Sequence, residues 1–221
     1  MRVRFHQSLD ELKEKLLVMA GMAEQAIQRA TEAYRLRDSS YVTLVRQSEP
    51  ALRQMQSDID QIAFDLLAME QPMAVDLRLI VSMIRINADL RRVGDLAINI
   101  AVRAEELTDL PPIEIPVDIP KMSALASAMV SKALQAFVDG DTEKAESVLV
   151  LDDQVDALNR AAFPALSSLI KHHPVSTHQA LHALIITRNL ERIGDHATNI
   201  AEDVIFWVRG NDVRHHHDLT V

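Results

Sequence analysis

Apolar residues recur along this chain at alternating spacings of three and four, the period of a helix that buries one stripe. The first stripe runs Leu9, Leu12, Leu16, Met19, Ala23, Ile27, Ala30 and Tyr34. Ser8 and Glu11 have the spacing of a capping box and predict that this helix begins there. Arg37-Asp-Ser-Ser40 reads as a turn, and a second helix follows to about residue 70, with Pro50 as a kink. Gln71-Pro72 marks the next turn. Leu79, Met83, Ile86, Leu90, Val93, Ala97, Ile100 and Ala104 then predict a third helix. The plan repeats in the second half: a helix over about 122–138, a turn at Asp139-Gly-Asp141, and a long helix to about 171 interrupted by Pro164. After His172-His-Pro174, the last helix carries Ile186, Leu190, Ile193, Ala197, Ile200, Val204 and Trp207 at coiled-coil spacing. The period-two alternation of strands is absent.

Residues 109–120 hold four of the eight prolines, so no helix continues through them. The expected fold is all-α: two tandem antiparallel three-helix bundles related by internal duplication. The expected boundaries are 1–108 for the first bundle, 109–120 for a Pro-rich linker, 121–210 for the second bundle and 211–221 for a flexible tail. Composition agrees. Of 221 residues only 5 are Gly and only 8 are aromatic (5 Phe, 2 Tyr, 1 Trp), too few for a chain of many short strands. The net charge of −9 disfavours nucleic acid, which demands a basic footprint. The absence of cysteine excludes disulfides, thiolate metal sites and thiol nucleophiles. Neither a membrane-length apolar run nor a secretory signal is visible, so the expected address is cytoplasmic.

Self-similarity supports the duplication independently. Leu90-Arg-Arg-Val-Gly-Asp-Leu-Ala-Ile-Asn-Ile-Ala101 aligns without gaps to Leu190-Glu-Arg-Ile-Gly-Asp-His-Ala-Thr-Asn-Ile-Ala201. Two apolar heptad helices would share Leu, Ala and Ile. They need not share Arg-x-Gly-Asp and Asn.

The candidate chemistry lies on the long hairpins. In the second half, Asp152 stands 22 residues before Pro174 and Asp195 stands 21 after it; Asp156 and Glu191 stand 18 before and 17 after. Antiparallel helices rise equally per residue, so these acids should meet level with one another, two per helix on one face. If those faces meet, four carboxylates at that range must protonate or hold a cation; the alternative is an ordinary solvated face of i, i+4 acids, against which the level-matching and the repeat weigh. Oxygen-only ligands suit Mg²⁺, Ca²⁺, Mn²⁺ or iron, with zinc less preferred. Asn199 and Glu202 continue the stripe as possible outer ligands. The first half gives a different answer to the same test. Glu49 and Asp95 are each 23 residues from Pro72, while Arg53 and Arg91 are each 19 away. That box sums to zero and needs no metal, because each Arg can pair with the acid four residues along its own helix. It is a degenerate site, an ion-pair lattice.

Other features carry weaker expectations. Gly94 and Gly194 are assigned to close helix packing, and Arg92 and Arg192 to local ion pairs in preference to anion binding. His172, His173, His178 and His182 read as a surface patch rather than a ligand set. His215-His-His217 belongs to the tail. No Gly-rich phosphate loop is present, which argues against nucleotide hydrolysis.

At these residues the chain resembles the PhoU family, regulators of bacterial phosphate uptake. The segment Glu191-Arg-Ile-Gly-Asp-His-Ala-Thr-Asn-Ile-Ala201 matches the family's helix motif, and Gln71-Pro-Met-Ala-Val-Asp-Leu-Arg78 matches its turn. The likeness runs from about Phe5 to Arg214. It implies two tandem bundles and polynuclear metal binding through paired acidic motifs, carried here by Asp152, Asp156, Glu191 and Asp195. Arg53 and Arg91 depart from the pattern. The resemblance further implies a non-enzymatic cytoplasmic adaptor, commonly a homodimer, that represses the phosphate regulon when phosphate is plentiful. Its implied partners are the ATPase subunit of the phosphate ABC transporter and a phosphate-sensing membrane histidine kinase, so that it meets the membrane only through them. Two rival readings stand beside this one. An accessory subunit of a low-affinity phosphate carrier would share the fold. A carboxylate-bridged di-metal enzyme would require Glu-x-x-His pairs, and the chain has none.

Overall fold

A computed structural model describes residues 2–70 and 72–210. Gln71 of the Gln-Pro turn, the tail from 211 onward and its His215-His-His217 lie outside the described residues. The chain forms six long α-helices among those residues: α1 (Arg2–Leu36), α2 (Ser39–Glu70), α3 (Ala74–Thr108), α4 (Ile119–Asp139), α5 (Thr142–His172) and α6 (Thr177–Arg209). A single 3-10 turn, Pro174–Ser176, leads into α6.

The predicted stripes are the buried ones. Leu12, Leu16, Met19, Ala23, Ile27 and Ala30 of α1 are fully or almost fully buried, as are Ile186, Ile193, Ala197, Ile200 and Val204 of α6. Helix ends differ more. The first helix begins at Arg2, so Ser8 and Glu11 lie inside it and form no cap. Buried Phe5, one turn before Leu9, extends the apolar stripe past the expected start. Likewise α4 starts at Ile119 because Asp118 accepts a hydrogen bond from the Lys121 amide (3.0 Å) and Pro120 sits in the first turn, where its missing N–H costs nothing. Pro164 does not interrupt α5, and α2 likewise runs on through Pro50. Both prolines are exposed, so the carbonyl each one deprives of a partner lies toward water.

Two positions force the chain to turn. Gly140 takes a left-handed conformation (φ 63°) that closes α4, with Trp207 packed where a side chain would start. Arg37 is the one described non-glycine residue with positive φ (54°), and its guanidinium donates to the carbonyls of Leu107 (2.6 Å) and Leu110 at the end of α3. It therefore ties the α1–α2 turn to the start of the Pro-rich linker.

Helices α1, α2 and α3 pack on one another, and so do α4, α5 and α6. These are two tandem three-helix bundles. The most extensive contact in the molecule joins them through α3 and α6, with α1 against α4 beside it. Accordingly α3 buries adjacent pairs, such as Leu79 with Ile80 and Leu96 with Ala97, rather than a single narrow seam.

Along this interface low numbers meet high ones. Arg78 Nε donates to the Trp207 carbonyl (3.3 Å), Ser82 Oγ to the Asp203 carbonyl (3.0 Å), and His182 Nδ1 lies 3.0 Å from Glu106 Oε2. The two helices are therefore antiparallel, in a register that sets the fully buried Val93 and Ile193, which occupy equivalent places in the repeat, level with one another.

Candidate metal centre

Helices α5 and α6 form the second hairpin, and their packing faces bring acids from both together. Asp152, Asp156 and Asp195 each present a carboxylate oxygen within 4.8 Å of the other two. Glu191 is half-buried and stands outside this trio, yet close enough that Asp195 and Asp156 act on it electrostatically. Asp152 is the innermost. Its Oδ1 is buried and accepts no hydrogen bond. Burial first, then the negative charges of Asp156 and Asp195, pushes its carboxyl up to about 6. Burial is also the largest cause raising Asp195 and Glu191. Asp156 is partly satisfied by Arg160, whose Nη1 donates to its Oδ2 at 3.2 Å on the exposed rim.

Gly194 belongs to this arrangement, a role its sequence context did not reveal. A Cβ there would lie 3.2 Å from Asp152 Oδ1 and 3.5 Å from the buried Met129 Cε. The glycine lets the Asp152 carboxylate approach the α6 backbone, with Met129 as an apolar wall. The donor set fits a hard cation. It offers oxygen only, carries excess negative charge, and leaves one buried oxygen lacking a donor.

Neither outer-ligand candidate joins the trio. Asn199 instead donates from Nδ2 to Asp89 Oδ1 (3.3 Å) across the α3–α6 interface, and His196 Nδ1 lies 2.7 Å from that same oxygen. Glu202 is half-buried and is not among the clustered acids.

In the first hairpin, Arg53 Nη2 donates to Glu49 Oε1 at 2.6 Å. Arg91 pairs through Nη1 with Asp95 Oδ1, and its Nη2 lies 3.8 Å from Glu49 Oε1. The equivalent glycine differs too: a Cβ on Gly94 would meet Leu52 Cδ1 at 2.8 Å, so its space is taken by an apolar side chain.

The expectation that Arg92 and Arg192 pair locally is corrected. Both are exposed and neither lies within ion-pair distance of an acid among the described residues, although the Arg192 charge acts on Glu191 and Asp195 from farther off. Of the four turn histidines, His172, His173 and His178 are exposed, while half-buried His182 packs on Glu106 and has its basicity lowered by burial. What sequence reading missed is the seam between bundles. Asp203 is almost fully buried and takes Arg85 Nη1 at 3.1 Å, and the Arg85 guanidinium lies 5.2 Å from the Phe206 ring centre. A buried acid inside an apolar heptad run was the only available signal.

The architecture and both hairpins have counterparts among known proteins. The PhoU domain family model matches residues 16–104 and again 119–204. A "Phosphate-specific transport system accessory protein PhoU homolog" of Pseudomonas aeruginosa is 37% identical over 96% of this chain and 88% of that protein. One of the same description from Aquifex aeolicus is 34% identical over 97% of each. The crystal structure of PhoU from Pseudomonas aeruginosa overlays with a TM-score of 0.90 at 36% identity, covering 94% of this chain and 100% of that one. The phosphate transport system regulatory protein PhoU from Streptococcus pneumoniae overlays with a TM-score of 0.87 at 28% identity, covering 95% and 99%. With both bundles matched by the family model and the whole architecture shared, this chain belongs to the PhoU family.

Proposed function

We propose that this protein is an accessory regulator of phosphate uptake that represses phosphate-starvation genes and restrains the phosphate ABC transporter when phosphate is plentiful. The observation that carries this reading is the likeness, along nearly the full length of both chains, to phosphate-specific transport accessory proteins. The role is that of an adaptor rather than a catalyst. Long amphipathic helices with exposed polar faces offer extended docking surfaces, and no helix of the described residues is long and apolar enough to cross a membrane. Contact with the membrane then runs through partners: the transporter's ATPase subunit and a phosphate-sensing histidine kinase. A homodimer in the cytoplasm is the form proposed.

Within this role the second bundle holds a cation on Asp152, Asp156 and Asp195, with Glu191 completing the shell. Support comes from the clustered carboxylate oxygens and the buried Asp152 Oδ1. A bound cation would supply charge neutralisation that joins α5 to α6. Iron, Mn²⁺, Mg²⁺ and Ca²⁺ all suit such oxygens, and zinc suits them less.

The deciding experiment is genetic. A clean deletion should leave a phosphate-starvation reporter switched on in phosphate-rich medium, and the intact gene should restore repression. Normal repression in a deletion strain with no second homologue would refute the regulatory role.

A further inference from the structure

The two hairpins are built on one plan, so each residue of the acidic cluster has a counterpart in the other bundle. The matched spans start 103 residues apart and end 100 apart, with the change falling between the helices of the hairpin. Before the turn this aligns Glu49 with Asp152 and Arg53 with Asp156; after it, Arg91 with Glu191 and Asp95 with Asp195. Two carboxylates therefore remain in the first bundle, one on each helix, and two have become arginines.

The arginines are not alike. Arg53 is a rim residue, with 68% of its side chain exposed and a contact to Glu49 on its own helix. Arg91 is only 11% exposed and reaches both remaining acids, Asp95 on α3 and Glu49 on α2. Joining an acid of one helix to an acid of the next is what a cation between Asp152 and Asp195 would do in the second bundle.

We propose that Arg91 is a tethered cation standing in for the first bundle's metal, so that metal loads in the second bundle alone. The proposal rests on the metal reading of the second bundle and deepens it. The physical case is electrostatic. A guanidinium offers no lone pair to a cation, repels one, and forks between two carboxylates in fixed geometry. With Arg53 added, the first box is formally neutral and gives a divalent ion nothing to gain. The second box has four acids; Arg160 on the rim ion-pairs with Asp156, while Arg188 and Arg192 act on Glu191 and Asp195 only from outside ion-pair distance and place no guanidinium between the two helices. The first bundle is thereby held permanently in a joined state, and only the α5–α6 hairpin answers to metal supply.

The test uses the purified full chain stripped of metal and titrated with Mn²⁺ alone, with bound metal read by mass spectrometry and folding checked by circular dichroism. Wild type should load one cluster's worth, and Asp156→Asn with Asp195→Asn should lower Mn²⁺ affinity at least tenfold. Arg53→Asp with Arg91→Glu, which restores the second bundle's residue types, should double the Mn²⁺ bound. Hydrogen exchange supplies a second readout that survives if that variant misfolds. Chelation of wild type should speed exchange around 150–158 and 188–198 and leave 47–55 and 88–97 unchanged. Equal loading of both bundles, equal response of both hairpins to chelation, or a folded Arg53→Asp/Arg91→Glu protein that gains no Mn²⁺ would each overturn the proposal. Failure of the underlying reading looks different. Wild type would then bind no Mn²⁺ at all, and a gain by the arginine variant over wild type would still uphold the role of Arg91.

Discussion

Asp152 is the residue whose state the surroundings most alter. Its carboxyl ionises near 6 when folded, against an ordinary value of 3.8, because burial and neighbouring acids disfavour the charge. The sign is opposite to that of a salt-bridged aspartate. The folded chain holds this proton more tightly than the unfolded chain, so the favourable contribution is complete below about pH 4 and vanishes as pH rises through about 6. Metal-free wild type should therefore lose stability relative to Asp152→Asn between about pH 4 and pH 7. The site is half-exposed, which screens the charge and reduces the expected gap to about 1 kcal/mol at pH 8. Urea denaturation of both proteins in chelator, across that pH range, measures it. A gap that is constant with pH would show that Asp152 ionises normally. Added metal should reverse the order, since a cation needs the ionised carboxylate that the asparagine lacks.

At the scale of elements, the two mid-helix glycines separate packing from chemistry. Alanine in a helix interior is favoured over glycine by about 1 kcal/mol. At Gly94 that gain is opposed by a new Cβ only 2.8 Å from the fully buried Leu52 Cδ1. Overpacking of this kind costs about 1–3 kcal/mol, so Gly94→Ala should be net destabilising and indifferent to metal. At Gly194 the new Cβ meets a carboxylate oxygen at 3.2 Å, and the Asp152 side chain must yield by a few tenths of an ångström. Gly194→Ala should fold with stability near wild type while losing several-fold in Mn²⁺ affinity. Calorimetric titration beside thermal melting distinguishes the pair; equal metal affinity in the two variants would remove Gly194 from the site.

For the whole molecule the decisive element is the antiparallel α3–α6 interface, which makes two bundles one body. Its polar positions are deeply placed: Asp203 is 2% exposed, and Arg85 reaches it while stacking near Phe206. Arg85→Met should keep much of the packing volume but remove a charged hydrogen bond to a buried acid, at a cost of about 2 kcal/mol. Because the loss falls between bundles, the unfolding transition should broaden or split into two. A single sharp transition with unchanged midpoint would mean that the seam contributes little to coupling.

The heptad stripes determined the six helices, since a 3–4 spacing of apolar residues can bury one face only as a helix. The repeat around Arg92-Val-Gly-Asp95 and Arg192-Ile-Gly-Asp195 determined that there are two copies of one bundle. Equal rise per residue along an antiparallel hairpin is enough to place Asp152 level with Asp195. All of these are local or follow from symmetry. Tertiary structure alone decided which stripe meets which. A buried face does not name its neighbour, so nothing near Asp89 in the chain announces His196 and Asn199, and nothing near Arg85 announces Asp203. The same limit hid the role of Gly194. A glycine's missing side chain acquires meaning only from the atom that fills its space, here an oxygen of Asp152 on another helix. Helix ends escaped for a related reason: Phe5 extends α1 because the core reaches it, whereas Ser8 and Glu11 could speak only for the local backbone.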